Sequence, residues 1–473
     1  MNFKGIIFFI GIYSLIVGFF SILNILYSIY FNFILDLNSY LFTFIISVSI
    51  GSIFCIVGKK HSKNISLSDQ IILILLSFVF IPLLISFPYI LSVYNISFLN
   101  SYFESISGFT STGFSILENV DEVDEPLLIW RSSSQWIGGL FYLISIIGTL
   151  GSRRAKMKPI YLVAGDSFGG NFYNNFYYNT FKIFLIYFFS TIFIFFLFSL
   201  SNLRLLDSLN LALTIIPSGG FLHASDLSDI IKNDLQIFVL ALSLLFPILN
   251  FYLFFKILTR RFKFYDFQED IHLIIFVVFL TFLFYFFIIS NENILNIFLG
   301  ITSSIANSGI SMHSSNFNLS LFFILLAIMG GSIISTSSGL KYVRFHILLK
   351  NSYHEIYRLV KPINIFNQNI FRSDIKITDE DSKISFLVFI SFIFSIFVLS
   401  SILTFDNLNF EDSFKLSILT LTNTVTSSLY GIESLGFFNL SITTKLSLIC
   451  FMILGKIEII AVIYLIRRIF FRD

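Results

Sequence analysis

The fold is decided by residues 107–139, which read SGFTSTGFSILENVDEVDEPLLIWRSSSQWIGG. A short apolar segment, Phe98–Phe109, precedes the turn Thr110–Gly113, and an acidic loop then leads into a long hydrophobic segment. As a helix, the roughly 12 residues of Phe98–Phe109 extend about 18 Å, whereas the hydrocarbon core of a bilayer is about 30 Å thick. The segment is therefore too short to cross a membrane, and we expect the chain to dip in and return as extended backbone.

Irregular backbone at membrane depth is stable only where it is buried in protein or lines a watery cavity. Carbonyl oxygens that face such a cavity can replace the hydration shell of a cation. We therefore interpret Thr110–Gly113 as a pore loop. Taken alone, the same turn also fits an ordinary Gly/Ser-rich loop between two helices.

The composition predicts a polytopic membrane protein. Hydrophobic residues make up 56% of the chain and charged residues 12%, and the mean hydropathy is +0.87, whereas a soluble domain is about 25% charged. The net charge of +2 says little about partners. No nucleophile–base pattern, metal-ligand cluster or nucleotide-binding motif stands out, and Gly165–Gly170 lacks the spacing of a phosphate-binding loop. We expect no enzyme activity.

Several segments have about the 20 apolar residues that a spanning helix needs. They are 5–29, 39–57, 70–94, 127–150, 179–199, 235–258, 271–290, 318–349, 384–404 and 444–466. With the N-terminus inside, most of the 30 Lys and Arg fall on the cytoplasmic side, as the positive-inside rule requires. The prediction is a plasma-membrane protein with both termini in the cytoplasm.

After two leading helices, the pattern of helix, short apolar segment, Ser/Gly turn and helix occurs four times, which indicates an internal repeat. The later turns are Ile216–Phe221, Ala306–Ile310 and Val425–Leu429. We align Gly113, Gly219, Gly309 and Ser428 as equivalent positions. The predicted fold is thus an all-α membrane protein in which four pore loops form one pseudo-tetrameric ring.

The predicted repeats are two leading helices at 1–64, followed by pore repeats at 65–158, 159–265, 266–365 and 366–473. Asp207, Asn293 and Asp412 stand near the starts of the later pore segments, where such side chains cap helices. The helix C-termini would then point negative dipole ends at a cation. The predicted ion-binding residues are Ser111, Thr112, Gly113, Pro217, Ser218, Gly219, Asn307, Ser308, Gly309, Ser427 and Ser428.

Two motifs around the first pore loop resemble the Trk/Ktr/HKT superfamily of potassium transporters. The turn Thr110–Phe114 matches a T-x-T-G-F pattern, and Trp130–Gly139 matches W-R-S-x-x-Q-W-I-G-G of the Trk branch. The resemblance covers essentially the whole chain. It implies uptake of potassium, a homodimer, and a separate cytosolic nucleotide-binding regulatory subunit. It implies no cofactor besides the transported K⁺, and we expect no nucleic-acid partner.

Two further stretches also resemble Trk motifs. Gly330–Lys341 is similar to G-G-S-x-x-S-T-x-G-G-I-K, with Ser338 in place of one Gly, and in that family this segment is an unwound gate below the filter. Leu454–Ile459 is similar to L-G-R-L-E-I, with Lys456 in place of Arg. The predicted gate residues are Gly330, Gly331, Ser335, Gly339, Lys341 and Lys456.

A lysine at the centre of a membrane helix costs about 2.5–3.5 kcal/mol on insertion scales. Lys456 is therefore interpreted as a positive charge that sets the barrier below the filter. The alternative is a purely structural pairing with Glu458 or with helix carbonyls. His223 and His313 follow filter glycines at the outer mouth, where a satisfied polar rim is the simpler interpretation and a titrating mouth the alternative.

Three functional hypotheses follow for the whole chain. The first is K⁺ uptake, the second a Na⁺-permeable or non-selective transporter on the same fold, and the third a membrane scaffold or sensor that transports nothing. Ser428 stands where the other repeats have Gly, and a residue with a Cβ pays roughly 1–2 kcal/mol in the left-handed conformation. We expect that strain to weaken discrimination of K⁺ from Na⁺.

Overall fold

The computed structural model describes residues 2–61, 67–150, 176–258, 267–287, 293–312, 319–360, 369–371, 377–432 and 435–457. These ranges fold into α-helices with short connections, and they hold no strand beyond one isolated bridge between Met329 and Leu340. Six helices in them are long and apolar enough to cross a membrane. Gly165–Gly170, His313 and Glu458 lie outside the described residues.

The two leading helices, Phe3–Tyr30 and Leu37–Gly58, pack against each other along glycine faces. A Cβ atom on Gly11 would lie 2.9 Å from the Gly51 carbonyl oxygen, and one on Gly58 would lie 2.5 Å from the Lys4 carbonyl oxygen. Small residues at such crossings let two backbones approach closely in a membrane, where dispersion contacts drive helix association.

Four helix–loop–helix units follow the leading pair. Their first helices are Leu67–Leu91, Phe176–Leu200, Gln268–Phe287 and Asp379–Phe405. Their short second helices are pore helix 1 (Phe98–Phe109), pore helix 2 (Leu205–Ile215), pore helix 3 (Ile294–Ala306) and pore helix 4 (Phe410–Thr422). Each pore helix has 11 to 13 residues, about 16–20 Å of length, so each is too short to cross a bilayer, as the sequence predicts for the first.

The closing helices of the units differ from one another. Unit one closes with Glu125–Leu150, and unit four with Ile442–Ile457, beyond which the chain is not described. Unit two closes with a helix broken into Asp234–Ser243, Leu245–Ile248 and Phe251–Leu258, and unit three with Ser320–Ile328 and Tyr342–Val360. The structure interrupts segment 318–349, as the sequence predicts. The prediction of one spanning helix at 235–258 was wrong.

The break in unit two has a physical reason. Pro247 lacks an N–H, and Leu249 is extended at φ −82° and ψ 160°. The carbonyls of Pro247 and Ile248 then accept hydrogen bonds from the backbone N–H groups of Ser337 and Ser332, at 3.2 and 2.9 Å. The two broken helices therefore satisfy each other's backbone groups at a depth where lipid offers no partner.

Candidate functional site

All four pore helices end in the same hydrogen-bonded turn. One to three residues beyond the end of each helix stands a residue with a left-handed backbone: Ser111 at φ 59°, Ser218 at 59°, Asn307 at 63° and Asn423 at 49°. The next N–H then reaches back to a carbonyl five residues earlier. These bonds are Thr112→Ser107 at 2.9 Å, Gly219→Thr214 at 2.9 Å, Ser308→Ser303 at 3.0 Å and Thr424→Leu419 at 2.9 Å. This is the Schellman pattern of a helix C-terminus, repeated four times.

The shared turn sets the register of the four loops. Two residues beyond each left-handed position stand Gly113, Gly220, Gly309 and Val425, which we call the ring residues. The register predicted from sequence is therefore wrong by one residue in the second loop and by three in the fourth. The missed signal was Asn423, because Asn after a helix is a typical left-handed C-terminal residue.

Ser428 does not hold the position predicted for it. It begins a 3₁₀ turn, Ser428–Tyr430, and its side chain is exposed. It is also absent from the described residues with positive φ. The strain expected at Ser428 is therefore not present, and Ser427 and Ser428 lie two and three residues beyond the fourth ring residue.

The ring residues meet at one place although they come from four distant parts of the chain. A Cβ atom built on Gly113 or on Gly220 would overlap Cγ2 of Val425, and one on Gly220 would also overlap the Ser308 carbonyl oxygen. A Cβ atom on Gly309 would lie 2.6 Å from the Val425 carbonyl oxygen and 3.1 Å from Val425 Cβ. Three positions thus require glycine for space, and the fourth carries a side chain.

Side-chain amides connect neighbouring loops at the left-handed positions. Asn423 donates to Thr112 Oγ1 and to the Met452 carbonyl, both at 2.9 Å. Asn307 donates to the Ala327 carbonyl at 2.6 Å and to Thr424 Oγ1 at 3.2 Å. These bonds tie the fourth loop to the first and the third. The buried polar groups of the loops, such as Thr112 and Asn307, therefore stabilise the packing of the loops in addition to any contact with an ion.

Arg131 connects the first loop to the second. Its Nε lies 2.9 Å from Glu104 Oε1, with both side chains at most 3% exposed. Its Nη1 donates to the Leu222 carbonyl at 3.3 Å, and its guanidinium lies 4.2 Å from the centre of the Phe221 ring. The sequence showed Arg131 only as one letter of a motif, and its role as a clamp between loops is visible only in the structure.

The rest of that motif packs behind the same two loops. Gln135 Oε1 accepts from the Phe221 N–H at 3.4 Å, and a Cβ atom on Gly219 would overlap the Gln135 amide. A Cβ atom on Gly138 would overlap the Phe109 carbonyl oxygen. Pro217 lies against Gly139 in the same way. The motif thus lies on a helix that contacts the backbone of two pore loops.

Near its N-terminus, pore helix 2 carries an acidic side chain that contacts two basic side chains. Arg204 Nε and His223 Nε2 each lie 2.9 Å from a carboxylate oxygen of Asp207. Asn293 caps pore helix 3 by accepting from the Leu295 N–H at 3.1 Å. His223 is therefore an ion-pair partner of Asp207 through Nε2, while its buried Nδ1 has no hydrogen-bond partner among the described residues.

Residues 330–341, between the two helices of unit three, form a segment that we call the intramembrane segment, after the position that the sequence predicts for it. It is irregular and buried almost throughout, and Gly339 has φ +70°. The ammonium of Lys341 donates to the Ser337 carbonyl at 2.6 Å and to the carbonyl and hydroxyl of Ser335 at 3.2 Å. A Cβ atom on Gly330 would overlap the Ser338 carbonyl oxygen. The segment is thus a compact loop folded around the Lys341 ammonium.

The intramembrane segment contacts the end of pore helix 2. Thr336 Oγ1 donates to the Ile216 carbonyl at 2.7 Å, and Ser218 Oγ donates to the Thr336 carbonyl at 3.0 Å. Glu269 accepts from the N–H groups of Ile333 and Val343, at 3.4 and 3.2 Å. Predicted filter and predicted gate residues are therefore in direct contact, and Glu269 is a supporting residue that the sequence did not reveal.

Lys456 reaches the same segment from the last helix. Its Nζ donates to Ser338 Oγ at 3.1 Å and lies 3.4 Å from the Thr336 carbonyl. The Tyr142 ring lies 4.5 Å from Lys456 Nζ and 5.6 Å from Lys341 Nζ. Both lysines predicted for the gate thus converge on one buried segment and one aromatic ring. The alternative partner Glu458 lies outside the described residues.

Comparison with known proteins places these features in context. No family model matches the chain. It is 27% identical to an uncharacterized cation transporter of Methanocaldococcus jannaschii, over 99% of this chain and 96% of that one. It is 24% identical to the Trk system potassium uptake protein TrkG of Escherichia coli, over 91% of each chain. It is 22% identical to TrkH of the same organism, over 91% of this chain and 92% of the other.

The fold has a counterpart among solved structures. The potassium transporter TrkH from Vibrio parahaemolyticus superposes with a TM-score of 0.81 at 20% sequence identity, covering 98% of both chains. The all-α polytopic membrane fold and the resemblance to Trk-type membrane subunits are confirmed. The named relatives are transport proteins and not enzymes.

Proposed function

We propose that the chain is the translocating subunit of a Trk-type potassium uptake system. The single observation that carries the proposal is the fourfold turn at the ends of the pore helices, which brings the ring residues together. Helix C-termini carry a partial negative charge of about half a unit each. Four of them aimed at one place favour a cation there, and the names of the relatives make K⁺ the cation to test first.

In this proposal the ion passes through the backbone of the four loops. Ser111–Gly113, Ser218–Gly220, Asn307–Gly309 and Asn423–Val425 supply the carbonyl oxygens, which replace water around the ion. Pro217, Ser427 and Ser428 then flank the pathway. The close approach of Gly220 to the Ser308 carbonyl supports the proposal, because it leaves little room for a hydrated ion.

The intramembrane segment would be the gate below the ring. Its contacts with Ser218 and Ile216 support this role, since any movement of Thr336 must break hydrogen bonds to pore loop 2. Lys341 and Lys456 would hold the closed form by donating to the segment's carbonyls and hydroxyls. A homodimer in the plasma membrane and a cytosolic nucleotide-binding regulatory subunit complete the proposal, as the resemblance of the sequence motifs to the Trk family implies.

Ion flux into proteoliposomes tests this function. Purified protein should take up ⁸⁶Rb⁺, a K⁺ substitute, faster than ²²Na⁺. Gly220→Ala should abolish uptake because its Cβ overlaps the Ser308 carbonyl oxygen. Gly436→Ala is the matched control, since the nearest atoms to its Cβ lie at 3.6 Å, an ordinary contact.

Equal uptake of both ions would favour the Na⁺-permeable alternative. No uptake of either ion by any form of folded protein, with or without candidate regulatory subunits, would favour a scaffold or sensor. Uptake that survives Gly220→Ala unchanged would contradict the pathway proposed here.

A further inference from the structure

The ring has one position that differs from the others. Gly113, Gly220 and Gly309 present no side chain, whereas Val425 presents an isopropyl group. We propose that Val425 is a built-in constriction of the ion pathway, and that its side chain limits the rate of transport and the discrimination between K⁺ and Na⁺. This inference rests on the proposed function.

The Val425 side chain reaches across the ring. Its Cγ2 occupies the space that a Cβ atom would need on Gly113 and also on Gly220. Its Cβ lies close to the Cα of Gly309, where a further Cβ atom would be 3.1 Å away. One side chain thus touches the backbone of all three other loops at the level where they approach most closely.

An isopropyl group in this place has two consequences. It offers no oxygen to an ion that has shed its water, whereas carbonyl groups replace the hydration shell in a filter. It also occupies space that a dehydrated ion needs. We therefore expect that an ion can pass only when the Val425 side chain moves away from the centre of the ring.

Hydrogen bonds of the two residues before Val425 hold the backbone of the fourth loop in place. Asn423 is bonded to Thr112 and Met452, and Thr424 Oγ1 accepts from Asn307. Moving the whole loop would break these buried bonds, each worth about 0.5–1.5 kcal/mol. Rotation of the Val425 side chain is the easier route, although a β-branched side chain has few χ1 rotamers.

Valine is tolerated here because the backbone does not demand glycine. Gly113 and Gly309 have φ of +80° and +66°, whereas Val425 is not among the described residues with positive φ. A change of Val425 to a smaller residue should therefore leave the loop conformation in place. This makes a side-chain series a fair test of the constriction.

The test measures ⁸⁶Rb⁺ and ²²Na⁺ uptake by the full chain in proteoliposomes, for Val425→Gly, Val425→Ala, the parent and Val425→Leu. Uptake of Rb⁺ should rise as the side chain shrinks, reaching about tenfold for Val425→Gly, the effect of lowering a barrier by ~1.4 kcal/mol. The Rb⁺/Na⁺ ratio should rise with it. Gly436→Ala, at an exposed position where the added Cβ atom meets only ordinary contacts at 3.6 Å, is the matched control and should change neither quantity.

A second measurement keeps the inference testable if the series is poorly folded. In a Cys55→Ser, Cys450→Ser background, Val425→Cys should be blocked by a small cationic thiol reagent, and K⁺ should slow the block. Gly436→Cys, at an exposed position given no role in the pathway, should react without K⁺ protection. Equal uptake across a folded series, or a Val425→Cys block that K⁺ leaves unchanged, would overturn the inference alone. Absence of uptake in every form, including Val425→Gly, would overturn the proposed function together with it.

Discussion

The buried pair of Glu104 and Arg131 gives a prediction whose size follows from its geometry. The two groups lie 2.9 Å apart and are at most 3% exposed. Removing one partner of such a pair leaves an uncompensated buried charge and costs about 3–5 kcal/mol, whereas replacing both with neutral groups is often close to neutral. We therefore expect Arg131→Met and Glu104→Gln each to destabilise the fold strongly, and the double variant to be more stable than either.

The measurement is the free energy of unfolding by denaturant in detergent micelles, arranged as a double-mutant cycle. Glu411→Gln is the control, because it breaks an ion pair with Lys415 in which the Glu411 side chain is 77% exposed, and surface pairs contribute little. The double variant should regain stability because neither charge is left unpaired. Its Rb⁺/Na⁺ uptake ratio should stay below that of the parent, because the hydrogen bond of Arg131 to the Leu222 carbonyl is lost. Additive losses in the cycle, or single losses as small as that of Glu411→Gln, would refute the clamp between loops.

Three further outcomes are expected. Lys456→Gln should raise basal ⁸⁶Rb⁺ uptake with little loss of folded protein, since it removes a buried charge; a loss of folded protein with unchanged uptake per molecule would favour the structural alternative. Deleting residues 333–336 removes the hydrogen bonds of Thr336 to pore loop 2, so uptake should rise and depend less on a regulatory subunit; unchanged or lower uptake by folded protein would count against a gate. Burial and the nearby Asp36 raise the pKa of Asp124 to about 6, so the stability contributed by its neutral form is fully present below about pH 4 and is lost as pH rises through 6. Asp124→Asn should therefore raise the unfolding temperature relative to the parent at pH 7 but not at pH 4, and an equal difference at both values would contradict that assignment.

Several features were predictable because they depend on short stretches of chain. The length of Phe98–Phe109, read against the thickness of a bilayer, predicts a helix that ends at depth. The resemblance of Gly330–Lys341 to a Trk motif implies an interrupted helix, and the structure interrupts it there. The motif of Trp130–Gly139 indicates the family resemblance, and Arg131, Gln135 and Gly138 in it lie against the backbone of the pore loops.

Other features were out of reach of the sequence because they depend on contacts between distant residues. Leu249 ends a helix whose freed carbonyls are satisfied by a segment more than 80 residues later, at Ser332 and Ser337. Because that partner lies far away in the sequence, the apolar pattern of 235–258 alone predicts a continuous helix.

Apolar segment length and turn chemistry are local properties, so the sequence alone predicts an all-α membrane protein with four pore segments. The register of the fourth loop also had a local signal in Asn423, which the sequence interpretation missed. The convergence of the four loops depends on distant contacts, such as the hydrogen bond from Asn423 to Thr112, 311 residues away. Gly113 and Val425 meet only when all four loops converge, because a clash across a ring depends on which backbones face each other and not on either residue's neighbours in the chain.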